Sequence, residues 1–439
     1  MAETVEILDS IMGSNKTNGI LKWIDSHPNE KYIYISPLLS EVDYGSRLDT
    51  DLKNVTFEFP NTDYDNNIKS KSDDLLNLIR SGSNIGATHS LYLAMNKEHL
   101  AEMEKQDYIL ICDEEVNVIN SFNHYSGDDL EHLLSNNDIS ISEQDGMISW
   151  SGIDLGKKSK YKYLANLCEN KLLYATKRKD NMMVTHLPIK LFTCAKRVII
   201  MTYMFEGNIL DCFLKLKGVK IKPFTEIETT KISKSSIRNL LTLLPLDEKL
   251  QDIPQSAGKY KTVANQLQLN EISKYITRVA KRHGAKPCDV LYTFPKLIFE
   301  GDKNKKKLKP KGYSFYKEYL YYDDGSAIIN TKGKHEYIEH TCWLHANCRA
   351  TNKYSDKWML FHCYDRYPNV AVENYLIDYG QKPKRNIYAI SEICQWVWRS
   401  RIRKGENIVL AITNKRMYSV FLKWLNSDFE YMKVLNDGE

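Results

Sequence analysis

Short runs of consecutive apolar residues alternate along the chain with segments in which apolar positions recur every three or four residues. Val5–Leu8, Tyr32–Ser36, Val55–Phe59, Asn84–Thr88, Tyr108–Cys112 and Val198–Thr202 are runs of the first kind and predict strands. A strand that is apolar on successive positions is one covered on both faces, as in a parallel sheet with crossover helices. Asn18–Ile24, Asp73–Arg80 and Leu91–Lys105 carry the helical spacing that such crossovers need. A second series begins near residue 211, with Asp289–Phe294, Trp358–Tyr364 and Asn407–Thr413 as strands and Asn270–Arg282, Ala371–Asp378, Tyr388–Arg403 and Asn414–Leu425 as helices. The fold class expected is therefore α/β, in two tandem units of parallel sheet with flanking helices, residues 1–215 and 216–439. The polar, acidic stretch from His124 to Asp145 predicts an exposed insertion or a flexible excursion at about 124–150.

Composition narrows the class. With 439 residues the chain is long enough for two or three full cores, and 42% hydrophobic with 27% charged residues is a globular balance. No run approaches the ~18 apolar residues of a membrane span, and the acidic start, Ala2-Glu3-Thr4, lacks the basic region of a secretory leader. Nine cysteines without a Cys-x-x-Cys pair point to reduced thiols, hence to a cytoplasmic protein. A net charge of +5 permits a nucleic-acid partner without requiring one.

The chemistry begins at Ser10–Thr17. Met12, Gly13, Ser14, Asn15, Lys16 and Thr17 follow a strand and open a helix, with asparagine where a phosphate-binding loop has its second glycine. In such a loop backbone N–H groups cradle the phosphates, the lysine reaches the β/γ-phosphates and the hydroxyl binds Mg2+. Asn15 is compatible with that turn, because asparagine tolerates left-handed backbone angles, although its side chain would crowd the phosphates. A second acidic motif is needed at the end of a neighbouring strand, and Tyr108–Glu115 supplies it: Asp113 to hold Mg2+ and Glu114 to orient or deprotonate the attacking water. A strand running into a solvated acidic loop is the plainer reading of that segment. Gln395, Arg399 and Arg403 fall at i, i+4 and i+8 of an expected helix, a face from which a guanidinium can stabilise charge on a transferring phosphoryl group.

Taken together these segments resemble superfamily 2 helicases, with two RecA-like domains and ATP bound in the cleft between them. Residues 10–17 resemble motif I and Asp113–Val116 a variant motif II, while Gln395 to Arg403 resembles motif VI. Ser36 and Pro37 lie in a segment similar to motif Ia, Thr88 and His89 in the next strand-binding segment, and Thr202 in the place of motif III, which couples hydrolysis to strand contact. Arg349 and Thr351 lie in an Arg-Ala-Thr-Asn segment similar to motif V. The Met-Gly-x-x-Lys-Thr loop, Ala-Thr-His segment and Gln-Trp-x-Trp-Arg-Ser helix together resemble a phage and mobile-element group related in pattern to herpesvirus origin-binding helicases. The resemblance implies an ATP- and Mg2+-dependent helicase or translocase acting on single-stranded or forked DNA in phage or mobile-element replication or repair. It implies replication proteins as partners and no membrane. Four features depart from the pattern: Asn15, the Asp-Glu-Glu-Val form of motif II, Ile402 where the last motif VI arginine is expected, and no evident adenine-reading glutamine motif.

The run Lys303–Lys311, which includes Lys305, Lys306 and Lys307, adds either counterion-release affinity for nucleic acid or only a solvated loop. Some of the 28 tyrosines would stack on bases, with nothing in the sequence to choose among them. His335, His340, Cys342, His345 and Cys348 have the residue types of a zinc site but none of its paired spacings. An alternative from another class is a nucleic-acid-binding, helicase-like scaffold with little or no ATP turnover.

Overall fold

The computed structural model describes residues 4–62, 68, 70–151, 160–177, 182–230, 232–301, 306–322, 324–348 and 353–427. It divides into two compact units, Met1–Lys231 with Pro368–Tyr388, and Ile232–Tyr367 with Ala389–Glu439.

The first unit is built on a six-stranded parallel sheet in the order Lys220–Pro223, Thr4–Asp9, Arg197–Thr202, Ile109–Asp113, Tyr32–Ser36, Ile85–Thr88. Side chains alternate between its two faces. Val5, Ile7, Ile33, Ile35, Leu110 and Cys112 join a core completed by helices Lys71–Ser81, Ile209–Leu216 and Val370–Asp378. Leu8, Tyr32, Tyr34, Ile109 and Ile111 join the opposite core with Ile20, Leu21, Trp23 and Ile24 of helix Lys16–Asp25. Burial on both faces is why these strands read as unbroken apolar runs.

The expected boundary at 215/216 is displaced for two reasons. Lys220–Pro223 pairs with Thr4–Asp9 in the first sheet, and Ala371, Val372, Tyr375 and Leu376 bury their side chains in the first unit's core. Val55–Phe59 does not form the strand expected of it; Glu58 alone makes a bridge, to Ile85. Leu91–Lys105 forms two helices, His89–Leu93 and Lys97–Met103, because the Asn96 side chain accepts from the N–H groups of Glu98 and His99 and starts a new helix.

The acidic stretch is folded, so it is not a flexible excursion. Helix Gly127–Ser135 is closed at its start by a Ser126–Asp129 capping box, and Ile139–Ile141 pairs antiparallel with Ile148–Trp150. Leu130, Leu133, Ile139 and Ile148 share a small core with Phe122, Leu164, Cys168 and Met183. A few well-spaced apolar residues outweigh a polar average.

The second unit carries a four-stranded parallel sheet in the order Leu241–Leu243, Ile408–Ile412, Met359–His362, Val290–Thr293. Helix Gln266–Arg282 packs Ile272, Ile276 and Val279 against Tyr292 and Phe361. A hairpin pairs Phe315–Tyr319 with Tyr337–Thr341 outside that sheet. The chain is thus α/β with parallel sheets and flanking helices in both units, as expected. Among the described residues no helix is long and apolar enough to cross a membrane.

Candidate nucleotide site

The first unit gathers its chemistry at the C-terminal ends of adjacent parallel strands, where open α/β sheets bind ligands. Register places Asp9 opposite Thr202, and Met201 opposite Asp113, so the ends of three neighbouring strands lie side by side. The loop leaving the first strand turns through Gly13, with φ 80°, and Asn15, with φ 63° and ψ 20°, before helix Lys16–Asp25 begins. Asn15 therefore adopts the left-handed conformation that a glycine would take. Its side-chain carbonyl accepts from Asn18 at 3.1 Å and its amide lies 3.5 Å from the Thr230 hydroxyl. Ser14 is buried, accepts from the Ser10 hydroxyl at 2.8 Å, and through its carbonyl accepts from the Thr230 N–H at 3.0 Å.

Lys16 turns its ammonium to the carbonyls of Ser10 and, at 3.2 Å, Ile11. Desolvation lowers its pKa, and Asp113, Asp9 and Glu114 oppose that shift by favouring the charged form. Asp113 is pushed up to about 6, first by desolvation and then by neighbouring Glu114, against the hydrogen bond it accepts from Tyr34 at 3.1 Å and the charge of Lys16. Asp9 is also raised by desolvation, although its carboxylate accepts from the backbone N–H groups of Met204 and Phe205, each at 2.9 Å. Asp9 is exposed, whereas Lys16 and Asp113 are only partly so.

Non-glycine residues with positive φ are costly, and three of them, Asn15, Glu114 at 63° and Met204 at 64°, follow the ends of these three strands. The Thr202 hydroxyl at the same edge is buried and makes no hydrogen bond among the described residues. Glu115 does something else: its carboxylate accepts from Asn208 at 2.7 Å, and Asn208 caps helix Ile209–Leu216.

The structure thus brings Lys16, Asp113 and Glu114 together, with Met12 and Thr17 in the same loop and first helical turn and Thr202 on the adjoining strand. Ser36 and Thr88 end the next two strands in opposing register. The Ser36 hydroxyl is buried and accepts from the Leu38 N–H at 3.4 Å, while Thr88 caps the helix His89–Leu93, so both hydroxyls serve local turns. Pro37 follows the strand directly. Sequence reasoning missed Asp9 and Tyr34. Asp9 had a signal, a carboxylate closing an apolar strand just before the loop; Tyr34 had none.

In the second unit the expected helical face is not formed. The helix ends at Val397, because Arg399 and Ser400 donate their N–H groups to the carbonyls of Trp396 and Val397. Gln395 lies on the helix, buried, with its amide 3.4 Å from the Ser391 hydroxyl. Arg399 is buried beyond the helix end, and Arg403 is exposed in a separate 3-10 turn, Arg401–Lys404. A buried arginine not singled out in the sequence, Arg366, pairs with buried Glu392 at 2.5 Å. Lys306 is engaged with the carbonyls of Lys261, at 2.8 Å, and Ala264, at 3.1 Å, and so closes a helix end rather than facing outward. Lys307 is exposed. Lys305, Arg349 and Thr351 lie outside the described residues. Among the described residues no group of three His, Cys, Asp or Glu side chains could hold a metal ion by itself.

Residues 235–425 match the profile of the family described as the YonV C-terminal Rossmann-like domain. Over 434 residues the chain is 26% identical to the SPbeta prophage-derived uncharacterized protein YonV of Bacillus subtilis (strain 168), which covers 97% of this chain and 99% of that protein. The relative's prophage origin agrees with the phage and mobile-element resemblance. Among solved structures, that of S. tokodaii Xpd4 aligns at a TM-score of 0.47 and 13% identity, over 97% of this chain and 95% of the other.

Proposed function

We propose that this protein is an ATP-dependent nucleic-acid translocase or helicase of phage or mobile-element type. The observation that carries the reading is the convergence of Lys16, Asp113 and Glu114 beyond the ends of two parallel strands that flank Arg197–Thr202, beside a loop held in left-handed turns. Bound Mg2+–ATP supplies the phosphoryl group and a Lewis acid. The N–H groups from Gly13 to Thr17 would bind the phosphates, Lys16 would leave the loop carbonyls for their oxygens, and Thr17 with Asp113 would hold the cation. Glu114 would orient and deprotonate the attacking water, its strained backbone fixing the carboxylate's direction. The Thr202 hydroxyl, buried beside these groups, would link them to Ser36, Pro37, Thr88 and His89 on the strand-binding side.

The test is ATP hydrolysis with and without single-stranded DNA, duplex DNA and RNA. Stimulation that falls about 100-fold or more in Glu114→Gln and disappears in Lys16→Ala supports the reading. Wild-type activity no higher than that of Lys16→Ala sinks it. The scaffold reading is favoured by one feature: the Asn15 side chain, held by Asn18, would crowd phosphates bound in this loop. Nucleotide binding with no turnover, restored by Asn15→Gly, is its outcome.

A further inference from the structure

The hairpin of Phe315–Tyr319 and Tyr337–Thr341 exposes rings that a folded domain ordinarily covers. Phe315, Tyr319, Tyr321 and Tyr337 are 44–58% exposed. Register sets them on one face. Phe315 pairs with Thr341 and Tyr319 with Tyr337, so 315, 317 and 319 share a side with 337, 339 and 341. The rings are mutually arranged, not scattered. Tyr319 and Tyr337 meet edge to face at 5.9 Å, and His335 lies 4.8 Å from both Tyr319 and Tyr321.

The charge on this face is small. Lys317 sits 3.8 Å above the Tyr337 ring and opposite Glu339. By alternation Glu318 lies on the reverse side, where its carboxylate accepts from His340 at 2.6 Å. Cationic charge stands at one end. A groove of about 410 Å3 is lined by Lys309, Pro310, Lys311, Gly312, Ser314 and Phe315, which puts two ammonium groups beside the first exposed ring.

We propose that this face is a stacking track for the bases of a single-stranded nucleic acid, whose phosphates run past Lys309 and Lys311. The inference rests on the nucleic-acid reading above and identifies which tyrosines serve it. Rings on a nearly neutral face suit any base, because every base has a π-face, and lysines at the rim suit a backbone held without sequence readout. The exposed rings outnumber the exposed aliphatic side chains of this region, Ile329 and Ile338, and by alternation Ile338 lies on the reverse side.

The test uses the full chain and a fluorescein-labelled oligo-dT of about 20 nucleotides, with a second oligonucleotide carrying 2-aminopurine. Tyr319→Ala with Tyr337→Ala weakens binding about 10- to 100-fold, leaves the salt dependence of binding unchanged and removes the 2-aminopurine quenching. Tyr319→Phe with Tyr337→Phe keeps both affinity and quenching. Lys309→Ala with Lys311→Ala lowers the salt slope by about one unit and retains quenching. Wild-type binding that survives the alanine pair unchanged overturns the track and leaves the nucleic-acid reading standing. No binding by wild type to any oligonucleotide at low salt overturns that reading, and the track with it. A dimer in sedimentation that the alanine pair dissociates identifies a second copy as the occupant and also overturns the proposal.

Discussion

Tyr34 donates a 3.1 Å hydrogen bond to the Asp113 carboxylate across two neighbouring parallel strands, and it is the first of the contacts that hold that carboxyl's pKa down. Burial and Glu114 drive the pKa of Asp113 up to about 6, and the Tyr34 hydrogen bond opposes that rise.

Under the proposed function, Tyr34→Phe should therefore shift the acid limb of ATP turnover upward in pH. Because folding raises the pKa of Asp113, the native state holds its proton longer than the unfolded chain. This group's contribution to stability thus falls as pH rises from about 4 to about 6 and is flat above. Asp113→Asn removes that slope and raises the melting temperature at pH 7 while abolishing turnover. A carboxyl titration followed by NMR, showing Asp113 below 4, would contradict both expectations.

Asn15 holds φ 63° and ψ 20°, so its backbone, more than its side chain, defines the loop. Asn15→Gly should keep the fold and keep or raise turnover. Asn15→Val should cost about 1–2 kcal/mol, since β-branched residues resist the left-handed region. Paired urea titrations of the two variants check the sign.

Gly86 lies mid-strand, and a Cβ there would meet Phe59 Cε1 at 2.5 Å and Leu48 Cδ2 at 2.9 Å. Gly86→Ala should destabilise the first unit by about 1–3 kcal/mol, as overpacking does. Phe59→Leu in the same chain should recover part of the loss, which a two-variant cycle of melting temperatures would read.

Arg366 and Glu392 are both buried and paired at 2.5 Å. Arg366→Ala leaves the carboxylate without its cation and should cost about 3–5 kcal/mol, whereas replacing both by apolar residues should cost far less. Equal losses in the single and double variants would show that the pair contributes nothing specific.

Much of the first unit was legible because its information is local. Tyr32–Ser36, Asn84–Thr88 and Tyr108–Cys112 are each apolar enough to announce a strand covered on both faces, and the structure places strands at Tyr32–Ser36, Ile85–Thr88 and Ile109–Asp113. Loop residues Gly13 to Thr17 likewise carry their turn chemistry in their own types. Val55–Phe59 had the apolar pattern without the strand, since an apolar run reports burial and burial does not require a ladder. The 124–150 stretch misled in the opposite direction, because composition averages away the few residues, Leu130, Leu133, Ile139 and Ile148, that build its core.

What the sequence determined by itself was the α/β class, the rhythm of strands and crossovers and the residue types of the candidate site, all set by short-range periodicity and turn chemistry. Tertiary structure alone decided that Tyr34 restrains Asp113, that Asp9 belongs beside Lys16, and that residues 368–388 return to the first unit. Each of these depends on which elements become neighbours. Such choices are made by packing across the whole unit, and no local window of sequence contains them.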